Sequence, residues 1–186
     1  MICSINEIRA VLRKAAMGSG FPAGLADAIA AAGVWLCAHG RDGLGAVLAA
    51  VDGGYEAEVA VERDGATVTF AGARVGRCGP SAFELIAAGD ADEVIIEDPD
   101  SPTLLEGMAG VASTRTATFV TTPTVDGRFT VVCAAVGEAS PFAIRTVVAV
   151  DEEQFATASA LAARILVPAT DESRLSGAGA GLTDND

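Results

Sequence analysis

The apolar residues of this chain change their spacing once, near Tyr55. Before that point they recur three and four positions apart, as on a helix; after it they alternate in twos, as on a strand. Ser4 is followed three residues later by Glu7, a capping-box spacing in which each side chain takes a free amide of the first turn. Ile5, Ile8, Leu12 and Ala15 then form one stripe, ended by Gly18 and Gly20. Pro22 opens a second helix with Leu25, Ile29, Ala32 and Leu36 on one face and Gly40 past its end. Leu44, Val47, Leu48 and Val51 predict a short third helix, closed by Gly53-Gly54.

In the second style, Val59 and Val61 alternate with Glu58, Ala60 and Glu62. Arg63-Asp64-Gly65 leads to a second alternation through Thr67, Val68, Thr69 and Phe70, so the pair predicts a hairpin with its Glu-rich face in water. Residues 72–79 read as a Gly/Arg-rich connection, and Pro80-Ser81 as the start of a short helix, with Ser81 and Glu84 in capping-box spacing. Residues 94–97 predict a strand, and 98–102 a turn with two prolines. Leu104, Leu105 and Met108 suggest one short helix. Three β-rich runs follow, at 116–122, 129–136 and 144–150, and their short connections favour antiparallel pairing. Asp151 caps a last helix with Phe155, Ala158, Leu161 and Ile165 inward, stopped by Pro168.

These elements predict an α+β fold: an N-terminal helical cluster packed against an antiparallel β-sheet, with a C-terminal helix. The expected organisation is a single domain over 1–168, helical over 1–54 and sheet with helices over 55–168, then a Gly-rich tail over 169–186. A chain of 186 residues buries roughly 70% of its extended surface, so its core needs no metal or disulfide staple.

The charge balance excludes several partners. Lys and Arg number 12 against 25 Asp and Glu, a net charge of −13, which repels nucleic acid and anionic membrane. Arg9, Arg13 and Lys14 share one side of the first helix and read as a solvated face. Eleven of the twelve basic residues are Arg, with abundant Ala and Gly, the bias of a GC-rich bacterial genome. Cys3, Cys37, Cys78 and Cys133 are widely spaced and read as isolated buried thiols, Cys37 and Cys133 among apolar neighbours. Glu7 and the helical periodicity deny the N-terminus an apolar signal core, and no apolar run reaches membrane-spanning length. The expected setting is the cytoplasm.

Several chemistries lack their residues. His39 is the one histidine, so a Ser–His–Asp triad or Cys–His dyad would have to use it. Its place at a helix C-terminus suits a structural role instead. With one His and no CxxC, no metal site is expected, and no cofactor motif is present. Lys14 is the one lysine, and Gly-Lys-Ser/Thr does not occur. Gly18-Ser19-Gly20-Phe21-Pro22-Ala23 matches GxGxxA but follows a helix, so it reads as a helix–helix turn. Asp90, Asp92, Glu93, Glu97, Asp98 and Asp100 crowd into eleven residues, where they suit acid–base work, a hard cation or solvated edge protection. The last of these is the expected role, because the Gly and distal Glu of a calcium loop are missing.

Two segments carry candidate site residues. In Gly76-Arg77-Cys78-Gly79-Pro80-Ser81 a glycine-rich turn enters a helix, so Arg74, Arg77, Gly79 and Ser81 are candidates for anion binding. In the tail, Ser173, Arg174, Gly177, Gly179, Gly181, Asp184 and Asp186 look specified rather than repetitive and are candidates for docking.

Ser4-Ile5-Asn6-Glu7-Ile8, the Arg13-Lys14-Ala15-Ala16 run, Gly20-Phe21-Pro22-Ala23-Gly24-Leu25-Ala26 and Trp35 resemble a bacterial, mainly alphaproteobacterial, family that is a domain of unknown function. Gly79-Pro80-Ser81, Asp100-Ser101-Pro102 and the ending from Ser173-Arg174 to Thr183-Asp184-Asn185-Asp186 carry the same resemblance. It implies a family-wide role for the tail and supplies no activity, cofactor or catalytic residue. The first fifty residues are also similar in helical style to the start of the malate/L-lactate dehydrogenase family distinct from the Rossmann type. That family carries Ser-His-Gly near this point, where this chain reads Asp42-Gly43-Leu44-Gly45 with His39 earlier, and the chain is too short for that family's cofactor-binding part.

Missing nucleophile–base chemistry and a specified tail predict a non-catalytic binding or accessory protein that self-associates or serves a protein partner. The alternatives are a small-molecule enzyme using carboxylates and arginines, and a ligand sensor whose tail closes over its site.

Overall fold

The computed structural model describes residues 1–56, 58–72, 74–113, 118–124, 126–134 and 145–165. The element order is β1 (Ile2–Ser4), α1 (Ile5–Gly18), α2 (Ala23–Ala38), α3 (Gly43–Val51), β2 (Ala60–Asp64), β3 (Thr67–Ala71), α4 (Val75–Ala87), β4 (Glu93–Ile96), α5 (Pro102–Ala112), β5 (Thr118–Pro123), β6 (Phe129–Ala134), β7 (Val147–Ala149) and α6 (Glu152–Ala163). The fold is α+β. The tail residues Ser173, Arg174, Gly177, Gly179, Gly181, Asp184 and Asp186 lie outside the described residues.

The capping box forms as its spacing predicts: Ser4 Oγ accepts from Glu7 N–H, and the Glu7 carboxylate accepts from Ser4 N–H at 2.8 Å. Those bonds hold the Glu7 carboxyl below its usual range. Asp42 and Asp151 cap α3 and α6 with the N-cap bond alone, their side chains accepting from Gly45 N–H and Gln154 N–H.

Close helix packing gives the small residues their purpose. A Cβ at Gly43 would overlap the Gly33 carbonyl oxygen, and one at Gly110 would overlap the Trp35 ring. One at Gly107 would come 2.6 Å from the Ala32 carbonyl oxygen. α2 thus carries Ala26, Ala30, Ala32 and Gly33 buried among its neighbours, with larger Ile29 and Leu36 between them. Each such large aliphatic side chain, once buried, contributes roughly 1.5–3 kcal/mol.

The main sheet has five strands in the order β2-β3-β4-β6-β5. Its pairs are antiparallel except β3 with β4, which run parallel because α4 carries the chain back between them. β7 does not join this sheet; it pairs with β1, so that Cys3 faces Val148. Val68, Phe70, Val94, Ile96, Val131 and Phe119 form the sheet's inward face, buried in one core with α4 and α5. The remaining helices stack beyond them, α2 and α3 against α4 and α5, then α1 and α6 outermost.

Two local expectations change. The fourth helix begins at Val75, five residues before Pro80, which sits inside it. Gly76 and Gly79 do not make a turn: a Cβ on Gly76 would crowd Phe21, Ile29 and the Ala50 carbonyl, and one on Gly79 would crowd Met108. They let α4 approach the helical cluster. Cys3, Cys37 and Cys78 are buried, but Cys133 is exposed. It lies two residues after Val131 on β6, opposite Phe119 of β5, yet is itself exposed.

Candidate functional site

The residues expected to bind an anion are divided by the start of α4. Arg74 occupies the N-cap, where its Nη1 donates to the Asp52 carbonyl at 2.7 Å and stands 3.7 Å from Asp100 Oδ2. Arg77 lies over the Tyr55 ring, 5.1 Å from its centroid, and donates to the Tyr55 carbonyl. Gly79 is buried within the helix and Ser81 is exposed on it, so neither joins the two arginines at the helix start.

The end of α4 that would receive an anion already holds one from this chain. Val75 N–H donates to Asp100 Oδ1 at 2.9 Å. Asp100 Oδ2 is buried and accepts no hydrogen bond among the described residues. Burial pushes the Asp100 carboxyl up from its ordinary value, against the opposing pull of the Val75 amide and Arg74. The neighbouring Cys78 thiol is pushed up to about 12, chiefly by burial and next by the Asp100 charge. It is an inert core thiol at neutral pH.

The six carboxylates between Asp90 and Asp100 do not converge. Asp90 and Asp92 are exposed, Glu93 sits on β4, and Glu97 pairs with Arg128 at 3.0 Å. Asp98 takes the left-handed backbone of a turn, and Asp100 caps α4. No group of three or more His, Cys, Asp or Glu among the described residues is placed to hold a metal ion. His39 closes α2: its ring stacks on Trp35 at 3.8 Å, and Nδ1 lies 2.7 Å from the Trp35 carbonyl oxygen. A cleft of about 620 Å³ lies between α1, α3 and α6, lined by Gly18, Leu48, Gly53, Gly54, Leu161 and Arg164 among others. It draws in none of those six carboxylates.

The feature that stands out is the second face of the sheet. Because strand side chains alternate, the residues between the buried ones all point away from the helices. The register arranges them in cross-strand rows. One runs Asp64, Thr67, Glu93, Val132, Val120; the next runs Glu62, Thr69, Ile95, Thr130, Thr122. None belongs to the core, and all are half-buried or exposed. No described helix lies over them. The face is acidic toward β2 and aliphatic and hydroxylic toward β5. Sequence reasoning found the water-facing side of the hairpin, and β2 is indeed exposed throughout. It did not find the rest of this face, because Ile95, Val120 and Val132 look like ordinary core residues until the register is known.

No helix of the described residues is long and apolar enough to cross a membrane. No curated protein and no solved structure matches the chain. Residues 3–68, from β1 into the start of β3, match the family model described as Protein of unknown function (DUF3726).

Proposed function

We propose that the chain is a non-catalytic binding or accessory protein, acting in a bacterial cytoplasm, that engages another protein through the open face of its five-stranded sheet. The observation that carries this reading is the uncovered pair of rows, in which Ile95, Val132 and Val120 lie off the core on a face without a layer of described helices. Aliphatic side chains grouped on a surface mark contact sites more often than solvent faces. Support also comes from what the charged residues do. Arg74, Arg77 and Asp100 engage each other, backbone atoms or an aromatic ring, which is structural use rather than the convergence an enzyme needs.

Native mass spectrometry of the protein isolated gently from its host tests this. The expected result is a complex with a second chain, of another protein or of its own, that is lost in an Ile95→Thr/Val132→Thr variant with unchanged circular dichroism. A monomer carrying a small-mass adduct would overturn it in favour of the ligand sensor. One observation favours that second reading: Arg164, the C-cap of α6, lines the 620 Å³ cleft.

A further inference from the structure

We infer that the occupant of the open sheet face is a single amphipathic segment of another protein, with Lys or Arg on one flank and aliphatic side chains on the other. The inference rests on the binding reading above and gives the partner its chemistry.

Charge comes first. Glu62, Asp64 and Glu93 stand together on the β2 side of the face, and no cation meets them among the described residues. Among the described residues the cations nearest the face are Arg128 at its end, already engaged with Glu97 and Asp126, and Arg63, which alternation along β2 turns to the opposite side with Val68. A partner lying flat on this face desolvates three carboxylates. Without a cation opposite them that is unfavourable; with one, each becomes a charge-assisted contact.

The same count disfavours a second copy. Two copies face to face bring six of these carboxylates and, among the described residues, no cation that the register places on the face itself to meet them. A polycation without apolar groups leaves Ile95, Val132 and Val120 uncovered.

Size agrees. Five strands at about 4.8 Å spacing, with two or three outward residues each, give a patch of about 300 Å². A standard protein–protein interface takes about 800 Å² from each partner. A helix about 10 Å wide and three or four turns long fits the patch. The partner is therefore a segment rather than a broad domain surface, and the contact is reversible and sensitive to salt.

The test uses the full chain and two synthetic helical peptides of eighteen residues with identical Leu positions, one with Lys and one with Glu at the polar positions, followed by fluorescence anisotropy. The Leu/Lys peptide is expected to bind at least tenfold tighter than the Leu/Glu peptide. Glu62→Gln/Asp64→Asn/Glu93→Gln should weaken it at least tenfold. The charge-matched control Glu84→Gln/Asp90→Asn/Glu153→Gln, at exposed positions off the face, should change it less than twofold. Ile95→Thr/Val132→Thr should also weaken it, which bulk charge attraction would not produce. Equal effects of the two charge triples overturn the inference. Tight binding of the Leu/Glu peptide that Ile95→Thr/Val132→Thr weakens overturns the cationic partner and leaves the docking face standing. Indifference of both peptides to every variant on the face overturns the docking reading as well.

Discussion

Asp100 shows how one side chain can take a place that a ligand would otherwise fill. Its Oδ1 closes the first turn of α4, while its Oδ2 is buried without a hydrogen bond, 3.7 Å from Arg74. The environment as a whole raises its pKa, so the folded state binds the Asp100 proton more tightly than the unfolded chain does. Stability from this group is then fully present below the unfolded value and is lost as pH rises through the raised folded value. Asp100→Asn keeps an oxygen for Val75 and removes the titration. Its melting temperature relative to the native chain should therefore rise between about pH 4 and about pH 7, measured by thermal denaturation. A constant difference across that range would contradict the assignment. Asp100→Ala also deletes the cap, and should be about 1 kcal/mol less stable than Asp100→Asn at either pH. This cap was not legible beforehand, because it comes from a residue 25 positions away. Gly76 and Gly79 suggest a connection to a local reading that starts the helix at Pro80, and only the packing against Phe21, Ile29 and Met108 gives them their place in the helix.

At the scale of elements, legibility followed locality. α1 and α6 carry their own caps, Ser4 with Glu7 and Asp151, and were readable. The β2–β3 hairpin carries its own turn, with Gly65 in the left-handed region. β1 carries nothing local: three residues become a strand because β7, some 145 positions later, lies beside them. The contact of α1 with α6 is equally non-local, and Gly18 makes it close. A Cβ there would overlap the Leu161 carbonyl oxygen, a backbone atom that cannot rotate away. Gly18→Ala should force α6 outward and cost about 1–3 kcal/mol in urea unfolding. Gly24→Ala is the internal comparison: it lies in the first turn of α2 with nothing within 4 Å of a Cβ. It should stabilise by a few tenths to about 1 kcal/mol through helix propensity alone. If the two substitutions behave alike, backbone entropy and not the helix contact governs Gly18.

At the scale of the whole molecule, the described residues form a stack in which the helices pack on one side of the sheet and none packs on the other. Beyond the sheet come α4 and α5, then α2 and α3, then α1 and α6. Every buried large aliphatic side chain among the described residues belongs to that one continuous core. Among the described residues, helices shield the sheet's hydrogen bonds on one face only, and all five residues of β2 are exposed. Opening free energy should follow that gradient. In native-state hydrogen exchange, the β2 amides should exchange by local opening and respond little to added denaturant. The amides of α2 around Ile29 and Leu36, packed between α1, α3, α4 and α5, should exchange only through global unfolding. β4 and β6, central in the sheet but without a described helix on the outward face, should fall between. Adding a peptide that occupies that face should then raise protection in β3, β4 and β6 while leaving α2 at its global limit under conditions where binding is weak. Uniform protection across α2 and β2 would mean that the outward face is covered in solution, and the docking surface would have to be sought elsewhere on the molecule.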